Sequence, residues 1–203
     1  AKLVFLRLLA RVRRMVLKFT KMNGAGNDFV LLDNRTGALR LGPEQVVRLC
    51  HRQRGVGADG VMLLVPCPSG QAEWAWDFFN SDGSVAEMCG NGARCFARYV
   101  QRVTGGSNRL TFQTLAGVIR AECLADGRVW VNLTPPRDAR LGLSLPLRTG
   151  AREVHSIDTG VPHAVLFEPE LASVDVAGLG REIRTHAQFA PRGTNVNFVQ
   201  VLG

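Results

Sequence analysis

With 203 residues, 46% of them apolar and 21% charged, the chain can build one ordinary domain or two small ones and is too hydrophobic to be a disordered tail. Its net charge of +8 suggests nucleic acid only until it is located: residues 1–14 carry five basic and no acidic side chains, leaving 20 basic against 17 acidic elsewhere. No nucleic-acid partner is therefore expected.

Five cysteines without a CxxC pair argue against a zinc cage or a disulfide framework, and for a reducing cytosol. No apolar run reaches the roughly 20 residues that cross a bilayer, so no membrane partner is expected. Residues 1–14 read as an extension outside the fold, with Met15 as the natural start. From there Leu17–Met22 alternates as a strand, Asn23-Gly-Ala-Gly26 breaks it, and Asp28–Asp33 resumes it. Pro43 opens a helix running to His51, because a proline in the first helical turn lacks only a hydrogen that would be unpaired anyway. Arg54–Gly60 is a loop, Val61–Val65 a buried strand, and Trp74–Phe79 a half-buried strand.

Asn80-Ser-Asp-Gly83 is turn chemistry, and Cys89-Gly-Asn-Gly92 leads into a helix over Ala93–Val100. Leu110–Thr114, Val118–Cys123 and Val129–Leu133 form a meander. Pro135-Pro136 marks a boundary, giving domains 15–135 and 136–203. Beyond it come a strand at Glu153–Ile157, a turn at Thr159–Pro162, a strand at His163–Phe167, a polar helix over 176–186 and a last strand at Phe198–Val201. The second segment holds the early part of something similar to the first.

Cys89 is the sharpest candidate for chemistry. A cysteine just before a helix faces unpaired backbone N–H groups and the positive end of the helix dipole. That setting favours thiolate over thiol, and the glycines at 90 and 92 let a ligand approach closely. The alternative is a buried packing cysteine, the role expected of Cys50, Cys67, Cys95 and Cys123. Asn27, Asn80, Asn91 and Asn195 sit beside glycine-rich bends, as turn residues or as a neutral donor–acceptor set for a zwitterion. His163 is a structural histidine or one that orients a catalytic group.

Phe19-Thr-Lys-Met-Asn-Gly-Ala-Gly-Asn-Asp-Phe29, Asn80-Ser-Asp-Gly83, Met88-Cys-Gly-Asn-Gly-Ala-Arg-Cys-Phe96, Gly160-Val-Pro-His163 and Gly193-Thr-Asn-Val-Asn-Phe-Val-Gln200 together resemble the motifs of diaminopimelate epimerases, in that family's order. The resemblance implies an α/β fold of the α+β type. Its two pseudo-symmetric domains each curve a mostly antiparallel sheet around a central helix, the second being incomplete here. It implies a cytoplasmic, cofactor-independent enzyme of lysine and peptidoglycan precursor synthesis that interconverts LL- and meso-diaminopimelate, with no metal; a homodimer stays open.

By resemblance Cys89 is one of two catalytic cysteines, and Gly90 and Asn91 contact the reacting carboxylate and amine. Asn27, Asn80 and Asn195 bind substrate, the last two at its far end, with His163 in support. Val161 and Gly60 depart from the Asn and Gln found there in some members. The family's second cysteine motif would lie beyond Gly203, so this chain is expected to be cut short and inactive as it stands. The alternative is a one-cysteine amino-acid-binding protein or a related isomerase.

Overall fold

The computed structural model describes residues 17–202, so the expectations for residues 1–14 and for a start at Met15 lie outside the described residues. Two sheets make up the fold. The first has seven strands in sequence order: β1 (Thr20–Gly24), β2 (Asn27–Asp33), β3 (Gly60–Pro66), β4 (Trp74–Asn80), β5 (Arg109–Thr114), β6 (Gly117–Cys123) and β7 (Val129–Asn132). The pairs β2–β3 and β4–β5 are parallel and the rest antiparallel. Each parallel pair needs a crossover, which α1 (Pro43–Cys50) and α2 (Gly90–Thr104) provide.

The alternation within β2 and β3 decides which helix covers which face. Val30, Leu32, Val61 and Leu63 point to one side, where Val46 and Cys50 of α1 close over them. Phe29, Leu31 and Met62 point to the other, against α2. On that side Phe96 packs on Phe112 and Trp76 with ring centroids 4.9 and 5.4 Å apart. Burying each such ring is worth about 2–3 kcal/mol. Helix α2 is longer than the sequence suggests. Its apolar stripe through Ala93, Phe96, Ala97 and Val100 is fully buried, and it ends only at Gly105, whose φ of 62° lets its N–H return to Gln101 O.

The second sheet runs β8 (Arg137–Leu147), β9 (Gly150–Asp158), β10 (Pro162–Phe167) and β11 (Asn195–Val199), with β8 at an edge. Only β10–β11 is parallel, and α3 (Val176–Arg184) crosses between those strands. The order β9, β10, α3, β11 repeats β1, β2, α1, β3: a hairpin, a helix, then a strand parallel to the hairpin's second arm. The chain is thus an α+β protein with an internal structural echo. Helix α3 covers Val154, Ala164 and Leu166 through Ile183. The opposite face carries Ile157, Val165 and Phe167, the last 58% exposed.

Three expectations need correction. β8 was not foreseen, and β11 lies at Asn195–Val199 rather than Phe198–Val201. Cys67 is not a core cysteine. It follows Pro66 in the β3–β4 turn, where its thiol donates to Gln113 Oε1 at 3.0 Å.

Candidate active site

Cys89 caps α2. Its backbone is extended (φ −149°, ψ 116°), and its Sγ accepts a hydrogen bond from Gly92 N at 3.4 Å. The helix has no acidic side chain in its first turn to compete for the N–H groups of Gly90 and Asn91, which have no carbonyl a turn behind them. A thiol and two free amides therefore open on one spot.

The β1–β2 turn comes down onto that spot. Gly24 allows it: a Cβ there would sit 2.7 Å from Asn91 O and 2.8 Å from Cys95 Sγ. The approach brings Asn27, first residue of β2, against Asn91, whose Nδ2 donates to Asn27 Oδ1 at 2.8 Å. Asn27 Nδ2 donates in turn to Asp59 Oδ2 at 3.2 Å. Asp59 stands just before β3, beside Asp28 and under Arg52, which donates to both carboxylates. The Arg52 guanidinium, then the Lys21 ammonium, hold the Asp28 carboxyl well below the usual carboxylate range.

The second sheet supplies the facing wall. Asp158 Oδ1 accepts from Gly160 N at 2.8 Å, fixing the turn that carries Thr159 and Val161. His163 and Asn195 pair across β10 and β11, and His163 Nδ1 meets Asn197 Nδ2 at 3.2 Å. Asn80, closing β4, is held by Ser84 through its side chain at 3.0 Å and its backbone N–H at 2.8 Å. Arg192 ties the two sheets by pairing with Glu87, two residues before Cys89, while also facing Asp158.

Between these walls lies a cleft of about 580 Å³. Cys89, Gly90, Asn91, Asn27, Asn80, Asn195 and His163, scattered over more than 160 positions of the sequence, all line it. Asp59, Thr159, Phe29 and Phe78 line it too, and sequence reasoning missed them; the Gly57-Ala-Asp-Gly60 loop was the signal for Asp59. Val161 contributes an apolar wall. Gly60 contributes none: a Cβ would meet Phe79 O at 2.7 Å and the Phe78 ring at 2.8 Å.

The remaining cysteines stay away from the cleft lining. Burial pushes the Cys50 thiol up to about 11, with the Asp28 and Asp59 charges adding to it. Burial raises Cys95 and Cys123 as well, while hydrogen bonding with the Ser69 hydroxyl lowers Cys67. Among the described residues no group of three or more His, Cys, Asp and Glu side chains gathers to hold a metal ion, and no helix is long and apolar enough to cross a membrane.

Comparison with known proteins points one way. A sequence profile of the family described as diaminopimelate epimerase matches residues 19–138. The diaminopimelate epimerase of Hydrogenobaculum sp. is 43% identical over 190 residues, covering 89% of this chain and 69% of that protein. That of Aquifex aeolicus is 45% identical, covering 91% and 69%. Among solved structures, a probable proline racemase from Agrobacterium radiobacter superposes with a TM-score of 0.63 at 17% identity, covering 83% of this chain and 58% of that one. A hydroxyproline epimerase from Agrobacterium vitis gives 0.61 at 15%, covering 82% and 56%. The chain thus spans less than two-thirds of either solved protein, and the likeness to them is one of fold.

Proposed function

The chain belongs to the diaminopimelate epimerase family, a family of amino-acid isomerases, and from that premise we propose that its cleft binds diaminopimelate and that Cys89 exchanges a proton with one α-carbon. The observation that carries this is the thiol at the α2 N-cap, opening on the same cleft as four asparagine amides.

An α-hydrogen is removable only if the charge left behind is stabilised. The substrate carboxylate, seated on the Gly90 and Asn91 N–H groups at the positive end of α2, meets fixed dipoles where that charge develops. Cys89 Sγ takes the proton as base, or returns one as acid. Asn27 and Asn91 contact the reacting end. Asn80 at the end of β4 and Asn195 on the facing wall read the far amino and carboxylate groups that distinguish a diamino diacid from a simple amino acid. His163, tied to Asn197, supports that wall. The reaction needs no cofactor, since dipoles replace an electron sink, and it serves lysine and peptidoglycan precursor synthesis in the cytoplasm.

Inversion requires a second acid/base group on the opposite face. Among the described residues Cys89 is the one cysteine lining the cleft. The two-cysteine mechanism is therefore not complete within these residues, and the 203-residue chain by itself is proposed to bind and exchange without inverting. Residues 15–135 form the first domain of this reading and 136–203 belong to a second. A one-cysteine amino-acid-binding protein is the competing reading, favoured by the same single thiol.

Iodoacetamide labelling tests the proposal. LL- or meso-diaminopimelate should slow alkylation of Cys89 while lysine and glutamate do not. Equal protection by all four, or by none, would contradict it.

A further inference from the structure

Four polar side chains stand in an unbroken file that begins outside the cleft and ends on its wall. Arg94, one turn into α2 and half-buried, donates from Nη2 to Asn91 Oδ1. Asn91 Nδ2 donates to Asn27 Oδ1 at 2.8 Å, and Asn27 Nδ2 to Asp59 Oδ2 at 3.2 Å. The two members in the middle are carboxamides, which can each face either way. The two ends cannot. A guanidinium only donates, so Asn91 must turn its oxygen to Arg94. At the other end the Asp59 carboxylate receives Asp28 N at 3.1 Å and Arg52 Nη2 at 2.7 Å, and so accepts from Asn27.

We propose that Arg94 and Asp59 are positioning residues that fix the polarity of the Asn91 and Asn27 carboxamides, leaving each with one N–H and one oxygen lone pair unspent for the amino-acid head group of a ligand. A carboxylate takes the N–H groups and an ammonium takes the lone pairs, so a zwitterion suits the pair as no simple anion would. This rests on the reading of the cleft as an amino-acid site.

The file also has a built-in redundancy. With either end intact, the other three members can keep their donor-to-acceptor order. Loss of one end removes one hydrogen bond; loss of both lets the two amides reverse together. The effects of the two ends are therefore strongly non-additive.

The test is a double-mutant cycle of R94M and D59N in the full 203-residue chain. D59N keeps an acceptor oxygen for Asn27 and R94M keeps the aliphatic stem, so each single variant retains the fold. Side-chain amide NMR of Asn27 and Asn91, assigned with N27D and N91D, reads orientation without any ligand. Wild type and both single variants should show one resonance set per amide. R94M/D59N should show two sets or exchange broadening at both, and R94K in place of R94M should restore one. Binding of LL-diaminopimelate should weaken less than about threefold in each single variant and more than about tenfold beyond their product in the double.

A double variant that equals the product of the singles, with one set per amide, would overturn the proposal, as would a disturbance at Asn91 that never reaches Asn27. If the NMR pattern appears but wild type binds no diaminopimelate, the positioning role stands and the assignment of the ligand fails.

Discussion

Replacing Gly24 by alanine should damage the site from a position that touches no ligand. Gly24 lies in β1 with a backbone any residue can adopt, so the cost is steric alone. The new Cβ would lie 2.7 Å from Asn91 O and 2.8 Å from Cys95 Sγ, against an ordinary contact of 3.4 Å or more. Either the β1–β2 turn or the first turn of α2 must therefore retreat by roughly 0.7 Å.

Forced overpacking of this kind costs about 1–3 kcal/mol, and the smaller entropy of the unfolded alanine chain returns about 0.5 kcal/mol. The net of about 0.5–2.5 kcal/mol should lower Tm by about 1–10 °C for a chain of this size. The same retreat stretches the Asn91–Asn27 hydrogen bond, so protection of Cys89 by diaminopimelate should weaken as well. Gly26→Ala is the control. It has φ +99° and nothing within 4 Å, so it should cost stability through backbone strain of about 1–2 kcal/mol while leaving protection intact.

Thermal melts and the iodoacetamide assay give both readouts. Because Cys95→Ala removes one of the two clashing atoms, the double variant should be less destabilised than the sum by about 0.5–1 kcal/mol. A Gly24→Ala protein with the parent's Tm and protection, or strict additivity with Cys95→Ala, would refute the close approach of turn and helix.

Alkylation of the folded chain at neutral pH, mapped by peptide mass spectrometry, should label Cys67 and Cys89 and spare Cys50, Cys95 and Cys123, which are buried and whose thiols burial pushes up. Among the described cysteines only Cys89 labelling should respond to diaminopimelate. Acid stability should depend on Arg52. The Asp28 carboxyl is held below its unfolded value of about 3.9, so its stabilisation is full above about pH 4 and is lost as pH falls toward the folded value. Arg52→Ala should therefore destabilise more at pH 6 than at pH 2, as urea midpoints at the two pH values would read. Arg192→Ala should cost under about 1 kcal/mol, since its pairing with Glu87 is 44% exposed at both partners; a larger loss in urea would mean that the tie between the sheets carries more than a surface ion pair.

Much of the fold was legible because local patterns and burial agree. The strands of the first sheet carry unbroken or alternating apolar runs, and the turn glycines between them mark their ends. Cys89 was legible as a cap because glycines and a polar turn isolate it before a run of helix formers. β8 was overlooked although Leu141, Leu143, Leu145 and Leu147 alternate. A proline pair stands before it and Pro146 lies within it, which no central strand would carry, yet an edge position tolerates Pro146, which pairs with Ala151.

The start of β11 was hidden by Asn195 and Asn197. Their polarity reads as loop, but Asn197 is satisfied inside the sheet by donating to Ala164 O at 3.1 Å. Cys67 looked apolar in sequence because Val65 precedes it, and only the turn after Pro66 carries it outward. Asp59 is marked in the sequence only by its glycine-flanked loop, and its partner Asn27 lies 32 positions away. Arg94 carries no signal at all, because its effect runs through Asn91 to Asn27, 64 positions back along the chain. No local pattern encodes such a file.

The most direct measurement is deuterium uptake. Incubating LL- and meso-diaminopimelate in heavy water with the 203-residue chain, then reading α-deuterium by mass spectrometry and configuration by chiral chromatography, reports proton transfer and inversion separately. Deuterium should enter one stereocentre with its configuration kept, and Cys89→Ser should abolish the uptake. Uptake that survives Cys89→Ser, or no uptake from either isomer, would contradict the assignment of Cys89 as the group that moves the proton.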